Sequence, residues 1–112
     1  MPVDQDFANR IREELADVDG ITEKAMYGGL AFLLHGNMAV GIMSTGDLMV
    51  RVGADDTDAA LAKPHTRLFE MRGRSMTGWV IVESGAVKTK RRLGPWVRRG
   101  VAFASSLPPK GS

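Results

Sequence analysis

Few side chains in this 112-residue chain stand at spacings that could do chemistry. His35 and His65 each lack a second ligand nearby, zinc takes three or four, and there is no cysteine to supply a thiolate. Asp55, Asp56 and Asp58 miss the D-x-D-x-D-G…E order of a calcium loop, and acids at a helix start already suit its dipole. Gly28-Gly29 follows a predicted strand, but no GxGxxG pattern or P-loop surrounds it. A tight turn or bulge is expected there, not a phosphate cradle. Ser75 has no G-x-S-x-G context. No nucleophile, base and orienter assemble, so the expectation is a protein that is not an enzyme and uses no cofactor and no metal.

Methionine and arginine are the more informative residues. Of seven methionines, Met26, Met38, Met43 and Met49 fall in one stretch. A Cu(I) thioether site, core filling and an adaptable partner groove all use this side chain, and core filling is the preferred reading. Arg51 sits in Leu48-Met49-Val50-Arg51-Val52, where alternation puts Leu48, Val50 and Val52 on one face and Met49 and Arg51 on the other. An arginine on a half-buried surface binds an anion, an acidic partner or a carboxylate of its own chain. The last is preferred, because arginine suits partly buried ion pairs.

Charge is unevenly spread. Residues 1–58 hold 11 acids and 4 Lys/Arg, residues 59–112 hold 2 acids and 11 Lys/Arg, and the whole chain is +2. Such polarity marks a nucleic-acid face, an acidic partner's site, or two halves that attract each other within one fold or across a dimer; the last is preferred. The densest basic run is Lys88-Thr89-Lys90-Arg91-Arg92.

The elements that must hold these residues follow from periodicity. Val3, Phe7, Ile11, Leu15 and Val18 recur at helical spacing, which predicts an amphipathic helix over 3–19, with Asp4 as N-cap and Gly20 as its stop. Ile21 to Tyr27, Leu30 to Leu34, Met38 to Met43 and Leu48 to Val52 have strand length, and connections this short join antiparallel neighbours. Gly36-Asn37 is expected to turn one pair and Ser44 to Asp47 the next. A short helix is predicted over 55–63, ended by Pro64. Arg67 to Met71 reads as an edge strand or irregular stretch, 72–78 as a loop, and Trp79 to Val82 as a buried strand. Gly94-Pro95 opens a last helix that docks by Trp96 and Phe103, with Gly100 permitting close approach, Arg98 and Arg99 pointing away, and Pro108-Pro109 as its stop. The expected fold class is α+β: an antiparallel β-meander flanked by N- and C-terminal helices, with a short helix between strands. No apolar run approaches the roughly 18 residues of a membrane span, and the acidic start is unlike a signal peptide, so no membrane contact and a cytoplasmic location are expected. Gly111-Ser112 are open to being a cloning remnant.

The string Lys24-Ala25-Met26-Tyr27-Gly28-Gly29-Leu30-Ala31-Phe32, with Gly36-Asn37-Met38 and Asp47-Leu48-Met49-Val50-Arg51-Val52 after it, resembles the TfoX N-terminal domain family (TfoX/Sxy-like proteins). Arg72 to Val80, Trp96 to Gly100 and Ser106 to Lys110 are similar to its short stand-alone bacterial members. The resemblance covers nearly the whole chain. It implies an α+β domain related to regulators of natural competence, which act on transcription rather than as enzymes, and it implies no catalytic residues. The full regulators carry a second, C-terminal helical domain; here the expectation is one domain over 1–110 and no second domain.

Two functions follow as expectations. The first is a non-catalytic regulatory or protein-interaction domain, using the sheet surface with Arg51 or Arg72 to Arg74 toward a protein partner or a second copy. The alternative is a nucleic-acid-binding accessory protein that contacts DNA through Arg67, Arg72, Arg74, Lys88, Lys90, Arg91 and Arg92.

Overall fold

The computed structural model describes residues 3–110, so Gly111-Ser112 lie outside it. Helix α1 (Gln5–Glu14) precedes strands β1 (Ile21–Met26), β2 (Gly29–Leu34), β3 (Asn37–Ile42) and β4 (Leu48–Arg51). A 3₁₀ turn and α2 (Thr57–Leu61) lead to β5 (Thr66–Met71) and β6 (Arg74–Val82), and α3 (Lys90–Ser105) ends the fold. The strands form one sheet in the order β1-β2-β3-β4-β6-β5, antiparallel at every step. The class is α+β, as expected.

All three helices cover the same face of the sheet. Phe7, Ile11 and Leu15 of α1, Ala60 of α2, and Leu93, Trp96 and Val97 of α3 share one core with Phe32, Val40, Leu48, Val50, Val80 and Val82. Strand alternation decides which residues enter it, and Leu48, Val50 and Val52 are buried as the sequence predicts. A bulge between Phe32 and Leu33 shifts the β2–β3 register. Ala39 packs against Ala104, and Gly100 of α3 lies so close that a Cβ there would overlap the Ala39 carbonyl oxygen. No helix among the described residues is long and apolar enough to cross a membrane.

Four boundaries differ from expectation, each for a local reason. Helix α1 ends at Glu14 rather than near 19, because the Leu15 amide shares the carbonyls of Ile11, Arg12 and Glu13 and the chain leaves by single turns. Leu15 and Val18 keep helical spacing without staying in the helix. The β2–β3 turn is His35-Gly36, both at positive φ, and Asn37 opens β3. Strand β6 starts at Arg74, because Arg72-Gly73 make a two-residue turn with φ 54 and 77, the geometry that suits a hairpin. Helix α3 starts at Lys90, capped by the Thr89 hydroxyl accepting from the Arg92 amide, which leaves Pro95 inside the second turn.

Candidate functional site

The sheet face opposite the helices carries a groove of ≈ 320 Å³. Its walls are Met26, Met38, Met43, Met49, Met71 and Met76, every methionine among the described residues. Alternation produces this: Met49 lies between buried Leu48 and Val50, so it must point away from the core. The bottom is low because Ala31 and Gly41, cross-strand partners on β2 and β3, put almost no side chain there. Phe69 and Trp79 close the end nearest β5 and β6.

This overturns the core-filling reading of the methionines. Among the described residues the buried core contains no methionine, because valine, leucine and phenylalanine occupy the inward positions. Trp79, read as a core residue, is half-buried in the groove, while Trp96 is 7% exposed and belongs to the core. Among the described residues the large apolar side chains left exposed are Tyr27 at 87%, Met71 at 44% and Met76 at 36%, and all three line this groove. Isolated exposed hydrophobes are ordinary; their collection on one methionine-rich trough is not.

Cations frame the trough. Cross-strand partners share a face, which places Lys24 beside Ala31, Arg74 beside Met71, Arg51 beside Trp79 and Arg67 beside Ile81. Lys24 and Arg74 are exposed. Arg67 reaches Asp47 at 3.4 Å, and the other Asp47 oxygen accepts from the Ser84 amide at 3.0 Å. Arg51 corrects an expectation. Among the described residues it has no carboxylate within ion-pair distance; its guanidinium carbon lies 4.9 Å from the Trp79 ring centre and 5.3 Å from that of Phe103. Two aromatic faces do for its charge what a carboxylate was expected to do.

The eight basic residues singled out in the sequence do not form one patch. Arg72 and Arg74 stand at the β5–β6 turn, where β6 begins. Lys88, Lys90, Arg91 and Arg92 follow the other end of β6, roughly 26 Å away at the rise of a strand, and they enter the helical layer. Arg99, expected to point outward, is half-buried over Trp96, at 5.4 Å from the ring centre. No group of three or more His, Asp or Glu among the described residues could hold a metal ion.

A family model described as the TfoX N-terminal domain matches residues 13–104, a span that includes the whole sheet and nearly all of α3. No curated protein matches the chain.

Proposed function

We propose, from the premise that this chain belongs to the TfoX N-terminal domain family, that it is a non-catalytic protein-interaction domain with a regulatory role. Its docking surface is the methionine-walled face of the sheet. Its partner is an apolar protein segment carrying acidic residues.

The observation behind this reading is the groove itself. A sheet with one face under helices and the other lined by thioethers presents apolar area that water does not favour. Methionine is unbranched and polarizable, so such a surface re-packs around differently shaped partners, a property of promiscuous binding faces. The rim supplies the polarity of the partner. Lys24 and Arg74 are unpaired cations among the described residues, and Arg51 is held by rings. Of the nearby acids, Asp47 is engaged by Arg67 and Ser84, and Glu70, exposed between Phe69 and Met71 on β5, is turned to the other face by strand alternation. An acidic apolar segment complements that rim, and a basic one is repelled by it. Kinship with regulators that act on transcription supports a regulatory setting for the contact.

Trp79 lies in the groove and Trp96 does not, so fluorescence reports on the face directly. Two helical model peptides of leucine and alanine, one with glutamates and one with lysines, serve as probes. The acidic peptide is expected to blue-shift Trp79, and Met49→Glu is expected to abolish the effect. Met76→Glu, at an exposed position, repeats the test with no risk to folding. Failure of both peptides to bind, or equal binding of the basic one, overturns the reading. A dimer that Met76→Glu dissolves would assign the face to a second copy instead, and would overturn the acidic partner.

A further inference from the structure

On the helical layer, independent of the sheet face, a second cleft of ≈ 400 Å³ opens between the α2–β5 connection and α3. Lys63 and His65 come from the connection; Arg91, Arg92 and Arg99 come from the helix. Among the described residues the one carboxylate within ion-pair distance of these five is Glu83, 3.4 Å from His65 Nδ1. Lys63 and the three arginines have none.

Two features of the cleft break ordinary rules of folding. The first turn of α3 holds Lys90, Arg91 and Arg92 and no acid. That is the positive end of the helix dipole, where cations are unfavourable and anions are welcome. The amides of Lys90 and Arg91 precede the first bonds of the helix, which the Arg92 and Leu93 amides donate to the Thr89 carbonyl, and neither has an acceptor among the described residues. Separately, Arg99 Nη1 is sealed from solvent and has no acceptor. The guanidinium lies over the Trp96 ring, so this nitrogen is shielded and is not itself a contact for a ligand. A bound oxyanion group relieves the first feature, and Arg99, which lines the cleft, adds its charge to the site.

We propose that this cleft binds a compact phosphorylated ligand carrying at least two phosphate charges, held by Arg91, Arg92, Arg99 and Lys63. The charge count selects phosphate over a lone carboxylate, since one negative charge leaves most of the cluster uncompensated. Arginine's planar fork meets phosphate oxygens bidentately, and three of the four side chains are arginine. The cleft has the size of a small-ligand pocket. It is also cut off from Arg72 and Arg74 by the length of β6, so the basic residues do not extend it into a continuous nucleic-acid track.

Calorimetry at low salt with inorganic pyrophosphate tests this, with citrate and duplex DNA as the other arms. Pyrophosphate is expected to bind with micromolar affinity, to weaken by about tenfold or more in Arg99→Met and in the Arg91→Glu/Arg92→Glu pair, and to be unchanged in Arg98→Met, an exposed site on the same helix. A rise in Tm with pyrophosphate that Arg99→Met loses is the second readout, and it keeps the test valid if the double variant misfolds. No binding of pyrophosphate, equal binding of citrate, binding indifferent to these substitutions, or DNA binding that pyrophosphate does not displace would each overturn the proposal.

Discussion

Arg51 and Trp79 are cross-strand partners on β4 and β6, with the guanidinium carbon 4.9 Å from the indole centre. Phe103 of α3 lies 5.3 Å from the same carbon, and its ring occupies the space where a Cβ of Gly53 would stand. One arginine therefore ties the rim of the groove to the last helix. Arg51→Ala is expected to lower stability by about 1 kcal/mol through lost stacking and lost stem packing, and to shift Trp79 emission. Arg51→Lys retains charge without the plane and should recover only part of that loss. Urea melts of the three proteins measure it, and equal midpoints would make the stacking incidental.

Gly100 allows α3 to touch β3. A Cβ there would overlap the Ala39 carbonyl oxygen and crowd Val40 Cγ1. Backbone cannot swing aside as a side chain can, so Gly100→Ala is expected to cost on the order of 1–3 kcal/mol despite its better helix propensity. Gly85 meets nothing within 4 Å, so Gly85→Ala should stay within about 0.5 kcal/mol of the parent. Thermal melts of the pair separate packing from propensity; a neutral Gly100→Ala would mean that the helix shifts without cost.

Helix α1 is clipped to edge strand β1 by Arg12, whose Nε and Nη2 each donate to Glu23 at 2.7 Å. Those hydrogen bonds hold the Glu23 carboxyl below its ordinary range and raise the Arg12 guanidinium. A carboxyl depressed in the folded state binds its proton more readily when unfolded. The contribution of the pair is therefore complete above the unfolded-state value and is lost as pH falls through the folded one. Both side chains are about a third exposed, which limits the effect to a Tm change on the order of a few degrees. Glu23→Gln should show it as a Tm deficit at neutral pH that closes in acid and shrinks with salt. A deficit independent of pH would assign the effect to packing instead.

The fold was legible where one residue type repeats on one face. Leu48, Val50 and Val52 against Met49 and Arg51 declare a strand with two unlike sides, and Val3 to Leu15 declares a helix with one apolar stripe. Which side of the strand stays bare is a different matter. It depends on all three helices choosing the same face, a long-range outcome that no local pattern records. The methionines and Trp79 were accordingly assigned to a core they do not enter. Arg51 was assigned a carboxylate because its real partner, Trp79, becomes its neighbour only through the β4–β6 pairing. The start of α3 was missed because Pro95 is the louder signal, while the true cap, Thr89, sits inside a basic run that reads as solvated surface.

The C-terminal stretch gives a prediction on local dynamics. Asn37 is buried, and its Nδ2 donates to the Pro108 carbonyl at 2.9 Å, while the Lys110 amide donates to His35 at 2.8 Å. Residues 107–110 thus lie along the β2–β3 turn. Asn37→Ala removes one of two tethers and is expected to cost about 1 kcal/mol globally. Its larger effect should be local: faster hydrogen exchange of the Lys110 amide, with α3 amides little changed. Equal exchange in both proteins would show that the backbone bond to His35 suffices.

Oxidation maps the groove without any partner in hand. A thioether on an open surface meets peroxide, and one shielded by neighbours does not; conversion to sulfoxide makes the side chain polar and chiral. Met71 and Met76 are 44% and 36% exposed, whereas Met26, Met38, Met43 and Met49 are half-buried deeper in the trough. The expected order of modification by mass spectrometry is therefore Met71 and Met76 first and the other four later. Because none of the six lies in the core, modest oxidation should leave Tm nearly unchanged while it weakens capture of the acidic model peptide. That combination separates a docking surface from a core. Had the methionines been structural, oxidation and unfolding would run together, and a peptide bound in the groove would not protect them.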